Sequence, residues 1–315
     1  MGSYQRRYWQ PDGAGMNKHE RMGGAYRTYL PDFLMGFSWS LHDSCSKAVS
    51  DAQQALFRLG ECGRLTDTEP LARLLLRAEA VSSSRIEGLE LPASKLLEYE
   101  ELDRLGVDHR LDGTEAQVLG NLHALVEGVE EISRHKELTL DDICTIHRSL
   151  LAGTRLEKVG GVIRTEQNWI GGNRVNPVGA AYVPPAPEDV LPLMEDLVEF
   201  ANASELPAVA KAAVIHAQME TIHPFADGNG RTGRALIHVM LMSSGLSRAT
   251  VPPVSLVLAT DRERYIDNLC SWRTTEESQR LSAVNDWIEY FAHSLSVSCE
   301  KALAFEKSLT DLREQ

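Results

Sequence analysis

The sequence predicts an all-α fold, a bundle of helices that carries one β-hairpin. Apolar residues recur at helical spacing through most of the chain from about Ser40 onward. Two long apolar runs, residues 206–222 and 231–245, are predicted to be buried helices. Residues 159–187 lack this helical spacing. Gly, Asn and Pro separate two short runs there that are typical of strands. The chain therefore reads as about ten helices and a single hairpin.

Start and stop signals set the helix boundaries. Pro70 lies near the start of one helix and Gly88 ends it. Thr139, followed by acidic residues, begins another. Pro224 biases His223 away from helical geometry, so the helix before it ends there. The predicted helices cover about 40–59, 70–87, 93–105, 113–133, 139–151, 188–202, 206–222, 231–245, 261–272 and 281–309.

The same pattern divides the chain into three regions. Residues 1–38 are rich in Gly, Tyr, Arg and Pro and show little periodicity, which predicts an extended N-terminal arm. Residues 39–112 form an N-terminal helical region. Residues 113–309 form a core that contains the hairpin, at about 160–185, and the C-terminal helices.

Composition excludes several classes of protein. The apolar share of 43% and charged share of 24% are ordinary for a soluble globular protein, and no apolar run is long enough to span a bilayer. The net charge of −13 disfavours direct binding to nucleic acid or to an anionic membrane. Five scattered cysteines without Cys-x-x-Cys spacing predict free thiols in a reducing compartment, and hence a cytoplasmic protein.

The most distinctive stretch is the loop between the two buried helices, Ile-His-Pro-Phe-Ala-Asp-Gly-Asn-Gly-Arg-Thr-Gly-Arg at residues 222–234. Gly228 and Gly230 allow close backbone approach, and they precede a helix N-terminus whose free N–H groups favour an anion. Arg231 and Arg234 are three residues apart and lie on one face of the first turn. Two guanidinium groups at such a cradle indicate a polyphosphate.

Two further side chains of this loop have chemical character. Asp227 can hold the Mg²⁺ that a polyphosphate carries, and His223 can take a proton from a hydroxyl. Each feature alone is more often structural, but their combination in one loop favours a site. Zinc is a poor alternative, because the loop contains no further ligand and the chain has no His-Glu-x-x-His or cysteine set.

Residues 223–234 resemble the full signature of the Fic family, His-x-Phe-x-Asp/Glu-Gly-Asn-Gly-Arg-x-x-Arg. The resemblance implies a Fic-type bundle that transfers AMP from ATP to a Ser, Thr or Tyr hydroxyl of a target protein or of itself. It implies that His223 is the base and that Asp227 binds Mg²⁺. Phe225 would anchor the loop. The phosphates would be held by Gly228, Asn229, Gly230, Arg231 and Arg234. Related kinases carry Lys where this chain has Gly230, which favours nucleotide transfer over phosphorylation.

A second segment resembles the inhibitory motif of the same family, Ser/Thr-x-x-x-Glu-Gly/Asn. Ser83 and Glu87 lie four residues apart on one helix face, just before Gly88. The resemblance implies an N-terminal inhibitory helix, at about 68–88, in which Glu87 pairs with Arg234 in place of the γ-phosphate. The alternative is a structural one, in which Glu87 is a solvent-exposed acid that precedes a C-cap glycine. In some family members the same glutamate supports AMP removal, so hydrolysis stays open.

Two further assignments follow from the resemblance. The hairpin, with Trp169, Ile170 and Gly171, is similar to the flap over the family's active site, although Trp169 and Ile170 suit a core position better than a contact. Tyr265 and Asn268 lie where the family places nucleoside contacts, and Tyr265 is equally suited to the core. Relatives often add a C-terminal winged helix, which is not evident in this chain.

The expected partners are ATP and a hydroxyl-bearing protein, with a homodimer left open. Alternatives are a de-AMPylating or other nucleotidyl-transferring Fic enzyme, and a non-catalytic regulator that senses nucleotide. A DNA-binding regulator is disfavoured because the chain is acidic and has no basic recognition helix.

Overall fold

The computed structural model describes residues 2–10, 15, 17, 21–65, 69–105, 113–246 and 252–313. Within these ranges the protein has eleven α-helices of seven or more residues and one two-stranded antiparallel sheet, so the predicted fold class is confirmed. The elements are β1 (Gly2–Trp9), β2 (Gly24–Pro31), α1 (Asp43–Leu65), α2 (Glu69–Ile86), α3 (Ala93–Arg104), α4 (Thr114–His123), α5 (Leu140–Leu151), α6 (Pro187–Ala203), α7 (Ala208–Ile222), α8 (Asn229–Ser243), α9 (Val254–Thr260), α10 (Arg262–Trp272) and α11 (Arg280–Arg313).

The two central helices, α7 and α8, pack side by side in the core. All residues of α7 from Ala212 to Ile222 are buried, as are those of α8 from Asn229 to Leu241. A helix that is apolar on most sides is stable only when other helices surround it. The long helix α11 packs along α1 and α7, and α5 and α6 cover the remaining faces. The motif loop between α7 and α8 is therefore supported from several sides.

Helix α2, which was predicted to be inhibitory, is anchored to the core by buried hydrogen bonds. Asn121 donates from Nδ2 to the carbonyl of Ala80, 2.9 Å away. The buried Glu79 carboxylate accepts from the Ser255 amide at 2.8 Å, and its Oε1 lies 3.0 Å from His238 Nε2. Because a buried carboxylate needs such partners, these contacts hold α2 against α8 and α9.

The end of α2 follows the Schellman pattern. Gly88 has a φ of +80°, the Leu89 amide donates to the Ser84 carbonyl at 3.0 Å, and the Gly88 amide donates to the Arg85 carbonyl at 2.9 Å. Arg262 adds a bond from Nε to the Ile86 carbonyl at 2.7 Å. The predicted stop at Gly88 is thus correct, and it leaves Glu87 at the C-cap.

The position predicted for the hairpin was wrong. Residues 160–185 contain only one antiparallel bridge, between Ile170 and Tyr182. The regular hairpin is formed by β1 and β2, in the segment predicted to be an extended arm. In β1, Tyr4 and Tyr8 are exposed, whereas Arg7 is only partly exposed. Because the strand lacks the usual apolar-in, polar-out alternation, periodicity could not reveal it.

Two helical details also differ from expectation. The helix predicted over 113–133 is continuous in extent, but it changes to a π-helix over Ala124–Val129 before a last short piece, Glu130–Ile132. Helix α9, over Val254–Thr260, was not predicted. Its seven residues are too short for a reliable helical period.

Two predictions drawn from composition can be compared with the described residues. Cys45, Cys144, Cys270 and Cys299 are free thiols, as expected. No described helix combines the length and apolar character needed to span a bilayer.

Candidate active site

The motif loop is held by Asn229 and Phe225. The Asn229 side chain accepts from the Phe225 amide and donates to the Phe225 carbonyl, both at 2.8 Å. The fully buried Phe225 ring stacks on His147, with ring centroids 3.8 Å apart. The side chain at position 229 therefore closes the loop on itself and leaves the backbone amides at the start of α8 free for an anion.

His147 is a second support that sequence reasoning did not identify. Its Nδ1 accepts from the Gly161 amide at 2.8 Å, so the ring proton must be on Nε2, which donates to the Asp227 carbonyl at 2.9 Å. Burial lowers the pKa of His147 to about 4, which keeps this tautomer neutral at physiological pH. No local motif marks His147, because its role depends on a contact from α5 to a loop 80 residues away.

His223 ends α7 in the left-handed conformation, with a φ of 52°. Its ring is mostly buried, and Nδ1 has no hydrogen-bond partner. Burial and the positive charge of Arg273 lower the pKa of His223 to about 4, although the Glu87 carboxylate acts in the opposite direction. The imidazole is therefore neutral at physiological pH and is able to accept a proton.

The backbone beside His223 is fixed by two residues from the flap segment. Arg164 donates from Nε to the His223 carbonyl at 2.8 Å and from Nη2 to the Pro185 carbonyl at 2.6 Å. Asn168 donates from Nδ2 to the carbonyls of His223, at 3.2 Å, and Phe225, at 2.9 Å. Neither residue was predicted, since a side chain that binds carbonyls across a fold has no signal in sequence spacing.

Replacing Arg164 with methionine is expected to destabilise the protein by about 2–4 kcal/mol, because buried carbonyl groups lose their donor. Chemical denaturation monitored by circular dichroism measures the change in the free energy of unfolding. Arg174→Met, at an exposed arginine of the same segment, is the matched control and should change it by less than about 0.5 kcal/mol. Equal effects of the two substitutions would contradict this role of Arg164.

Asp227 and Arg231 form the entrance to the anion cradle. Gly228 adopts a φ of +75° as the residue before α8, which only glycine does at little cost. Arg231, with 1% of its side chain exposed, donates from Nη2 to Asp227 Oδ1 at 3.2 Å. The Asp227 side chain is 47% exposed and also accepts from the Gly228 amide. This carboxylate is thus reachable from solvent beside a cluster of positive charge.

Arg234 lies buried opposite the end of α2. Its Nε donates to Ser83 Oγ at 2.9 Å, and its Nη2 donates to the Ser83 carbonyl at 2.9 Å and to Glu87 Oε1 at 2.7 Å. Burial opposes ionisation of Glu87, but the Arg234 guanidinium outweighs it and lowers the pKa of that carboxyl below its ordinary value. The ion pair that the resemblance implies is therefore present, and its inhibitory role stays a prediction.

Gly230 makes this ion pair sterically feasible. A Cβ at position 230 would lie 2.0 Å from Glu87 Oε1 and 2.9 Å from Arg234 Nη1. No side chain fits there while Glu87 contacts Arg234. The glycine therefore makes room for this ion pair, and it also allows the close backbone approach expected of the cradle.

The two residues predicted for the adenine pocket stay predictions. Tyr265 is 2% exposed, its hydroxyl lies 2.8 Å from His216 Nε2, and it also interacts with Arg234 of the motif loop, so it is a core residue beside the arginine of the cradle. Asn268 donates from Nδ2 to the carbonyl of Arg264, within its own helix. This contact is local to α10.

Of the three flap residues, Trp169 is partly buried, and Ile170 and Gly171 are exposed. Trp169 packs edge-on against Trp9 of β1 and donates from Nε1 to the Asn173 carbonyl at 2.7 Å. Ile170 is 41% exposed, which corrects its expected core position, and Gly171 has a φ of +74° in an exposed turn. The N-terminal hairpin thus supports one side of the flap.

Comparison with known proteins identifies the family. A model described as the Fic/DOC family matches residues 137–241, and one described as the Fic/DOC family N-terminal region matches residues 46–130. The chain belongs to the Fic/DOC family. The matched segments include the helix that carries Glu87 and the complete motif loop.

Several Fic/DOC relatives have names and solved structures. The chain is 32% identical to protein adenylyltransferase fic-1 of Caenorhabditis briggsae over 56% of its length, and 26% identical to that of Caenorhabditis elegans over 71%. It spans only 30% and 37% of these proteins, about a third of their length. A Fic family protein from Desulfovibrio desulfuricans shares the fold with a TM-score of 0.64 at 21% identity, covering 85% of this chain and 76% of that one. Fic-1 from C. elegans gives 0.60 at 20%, covering 84% and 74%.

Proposed function

We propose that this protein is a protein adenylyltransferase, which transfers AMP from ATP to a hydroxyl side chain of a target protein or of itself. The observation that carries the proposal is the assembly of one loop in which a neutral His223 lies beside an anion cradle flanked by Arg231 and Arg234. The names of the relatives support the same activity.

The chemistry requires few groups. The target oxygen attacks the α-phosphorus as its proton passes to His223, and the bond from that phosphorus to the pyrophosphate oxygen breaks. Arg231 and Arg234 neutralise negative charge on the phosphates, and the amides at the start of α8 bind the oxygens. Catalysis of this kind depends on positioning and charge more than on a covalent enzyme intermediate.

Asp227 is the residue that would hold Mg²⁺. No cluster of three or more His, Cys, Asp or Glu ligands occurs among the described residues, so a cage made of protein ligands alone is not expected there. A half-exposed carboxylate beside a phosphate cradle fits Mg²⁺, which usually binds through one or two carboxylates together with phosphates and water. The ion, when bound, would neutralise phosphate charge and orient the leaving group.

We also propose that the resting protein is autoinhibited through the contact between Glu87 and Arg234. This contact occupies the guanidinium with a carboxylate that is held in its ionised form by the pair itself. A phosphate that needs Arg234 must compete with Glu87. Removal of AMP remains the second candidate, because a carboxylate next to the cradle can also position water for hydrolysis.

Labelled ATP tests the proposal directly. The protein is incubated with Mg²⁺ and ATP labelled at the α- or the γ-phosphate, alone and with a cell lysate, and protein-bound label is counted after electrophoresis. AMP transfer incorporates the α-label only, whereas phosphorylation incorporates the γ-label. Parallel reactions with CTP, GTP and UTP define the nucleotide. Absence of label from every nucleotide, in the parent and in the Glu87→Gly variant, would contradict a transferase.

A further inference from the structure

Glu220 is a buried acid that the motif does not account for. It lies on the last turn of α7, three residues before His223, and its side chain is 10% exposed. Its Oε1 has no hydrogen-bond partner and lies 3.9 Å from Arg234 Nη1. Its Oε2 lies 4.0 Å from His223 Nδ1, which is also without a partner. Oε2 of this buried carboxylate therefore faces the Nδ1 side of the buried imidazole, and no hydrogen bond joins the two side chains in this structure.

We propose that Glu220 is a positioning residue for His223, accepting the Nδ1 proton and leaving Nε2 free to take the proton of the target hydroxyl. The inference rests on the proposed function and deepens it. When the hydroxyl proton moves to Nε2, the imidazole becomes an imidazolium, the target oxygen bonds to the α-phosphorus, and pyrophosphate leaves. The ionised Glu220 stabilises the imidazolium and itself stays deprotonated, until His223 returns its proton to solvent.

The geometry explains why an acid is needed at this position. Burial, Arg273 and Arg164 lower the pKa of His223 to about 4, although Glu87 and the backbone of Glu220 act in the opposite direction, so the imidazole is a weak base. An anion on the Nδ1 side counteracts this and selects one tautomer. The gap of 4.0 Å in the resting structure is longer than a hydrogen bond, and such bonds commonly tighten only when substrate is bound.

The charge of Glu220 responds to groups on every element around it. Burial raises the pKa of its carboxyl to about 7, the Arg234 guanidinium of α8 acts in the opposite direction, Glu87 of α2 raises it, and Arg273 lowers it. His216 on α7, one turn back, is kept neutral by burial, and its Nε2 contacts the neutral Tyr265 hydroxyl. Because the pKa is raised, Glu220 is protonated below that value and ionised above it.

Activity should therefore depend on pH through Glu220. In the Glu87→Gly background the transfer rate should rise with pH as Glu220 ionises, at a value below 7, because one group that raises its pKa is gone. Adding Glu220→Gln should remove this rise between pH 5.5 and 8.5 and lower kcat by roughly 10- to 100-fold, with KM for ATP changed less than about threefold. Glu220→Asp should keep the rise of the transfer rate with pH. Glu205→Gln, at an exposed acid before α7, should change neither this pH dependence nor kcat.

A measurement without turnover separates this inference from the proposed function. In protein labelled with ¹⁵N-histidine, the His223 ring signals, assigned by their loss in His223→Asn, should shift as pH passes through about 7, with the proton on Nδ1 at the higher pH. In Glu220→Gln that shift should disappear. An unchanged titration would overturn the role of Glu220 even if AMP transfer occurs. A raised KM for ATP with an unaltered pH profile would instead make Glu220 a counter-ion of Arg234, and would equally overturn it. A titration that vanishes in a protein without transfer would reject only the proposed reaction.

Discussion

Replacing Glu87 with glycine is expected to raise AMP incorporation at least about tenfold above the parent. Glu87 Oε1 lies 2.7 Å from Arg234 Nη2, and the guanidinium is 1% exposed, so no second anion shares it from solvent. A charge-assisted hydrogen bond contributes roughly 1.5–3 kcal/mol, and about 1.4 kcal/mol corresponds to a factor of ten. Freeing Arg234 for a phosphate of ATP therefore restores an interaction large enough to raise the rate by that factor.

The measurement is the initial rate of α-label incorporation, into the protein itself and into lysate proteins. Glu90→Gly is the matched control, because Glu90 is an exposed acid of the same connection and is expected to leave the rate unchanged. Glu87→Gln keeps the size of the side chain and removes its charge, so it should lie between the parent and Glu87→Gly. If Glu87→Gly and the parent transfer AMP equally, Glu87 is a structural ion pair and the inhibitory role is wrong.

The Glu87→Gly variant is expected to be less stable than the parent protein although it is more active. Arg234 keeps its bonds to Ser83 Oγ and to the Ser83 carbonyl, and Glu220 stays 3.9 Å away, but the buried guanidinium loses the one carboxylate that is hydrogen-bonded to it. The free energy of unfolding is expected to fall by about 1–2 kcal/mol, which is measured as a lower melting temperature. A variant that is both less stable and more active cannot owe its activity to better folding.

The sequence was most informative where the chemistry is local. Asp227, Gly228, Arg231 and Arg234 act from one continuous segment, so their spacing alone predicted an anion cradle with two arginines on one helix face. The end of α2 was likewise predictable, because Gly88 stops the helix by its own backbone freedom. In both cases the residues that determine the structure are neighbours in sequence.

Prediction failed where a contact joins distant segments. His147, Arg164 and Asn168 hold the backbone of the motif loop from other parts of the chain, and no spacing rule relates them to it. The hairpin of β1 and β2 failed for another reason. In β1 the partly exposed Arg7 pairs with Glu188 of α6 while Tyr4 and Tyr8 are exposed, so the strand lacks the apolar alternation by which half-buried strands are recognised.

Glu220 is a third kind of residue whose role a sequence pattern does not predict. It lies only three residues from His223, inside an apolar run, and read from the sequence it is one polar residue in a helix. Its significance comes from burial and from two neighbouring groups with unused hydrogen-bonding atoms. These are properties of the folded protein that sequence spacing does not contain.

Replacing His223 with alanine, in the Glu87→Gly background, is expected to lower AMP incorporation by roughly 100- to 10,000-fold, the contribution typical of a positioned general base. Affinity for ATP should stay within about threefold, because the cradle of glycine amides, Arg231 and Arg234 is unaffected. Isothermal titration measures binding, and α-label incorporation measures transfer. A nucleotide-sensing regulator predicts a different result: binding in every variant and transfer in none.

Two variants complete the test of the base. His223 has a φ of 52°, where alanine is disfavoured and asparagine is tolerated, so His223→Asn removes the base with less strain on the backbone. Both substitutions should give the same loss of transfer if proton abstraction is the cause. His42→Ala, at an exposed histidine just before α1, should leave the rate unchanged. Full activity in His223→Asn would show that the hydroxyl loses its proton without this imidazole. In that case transfer would depend on the cradle and the arginines alone, and the role assigned to His223 would be wrong.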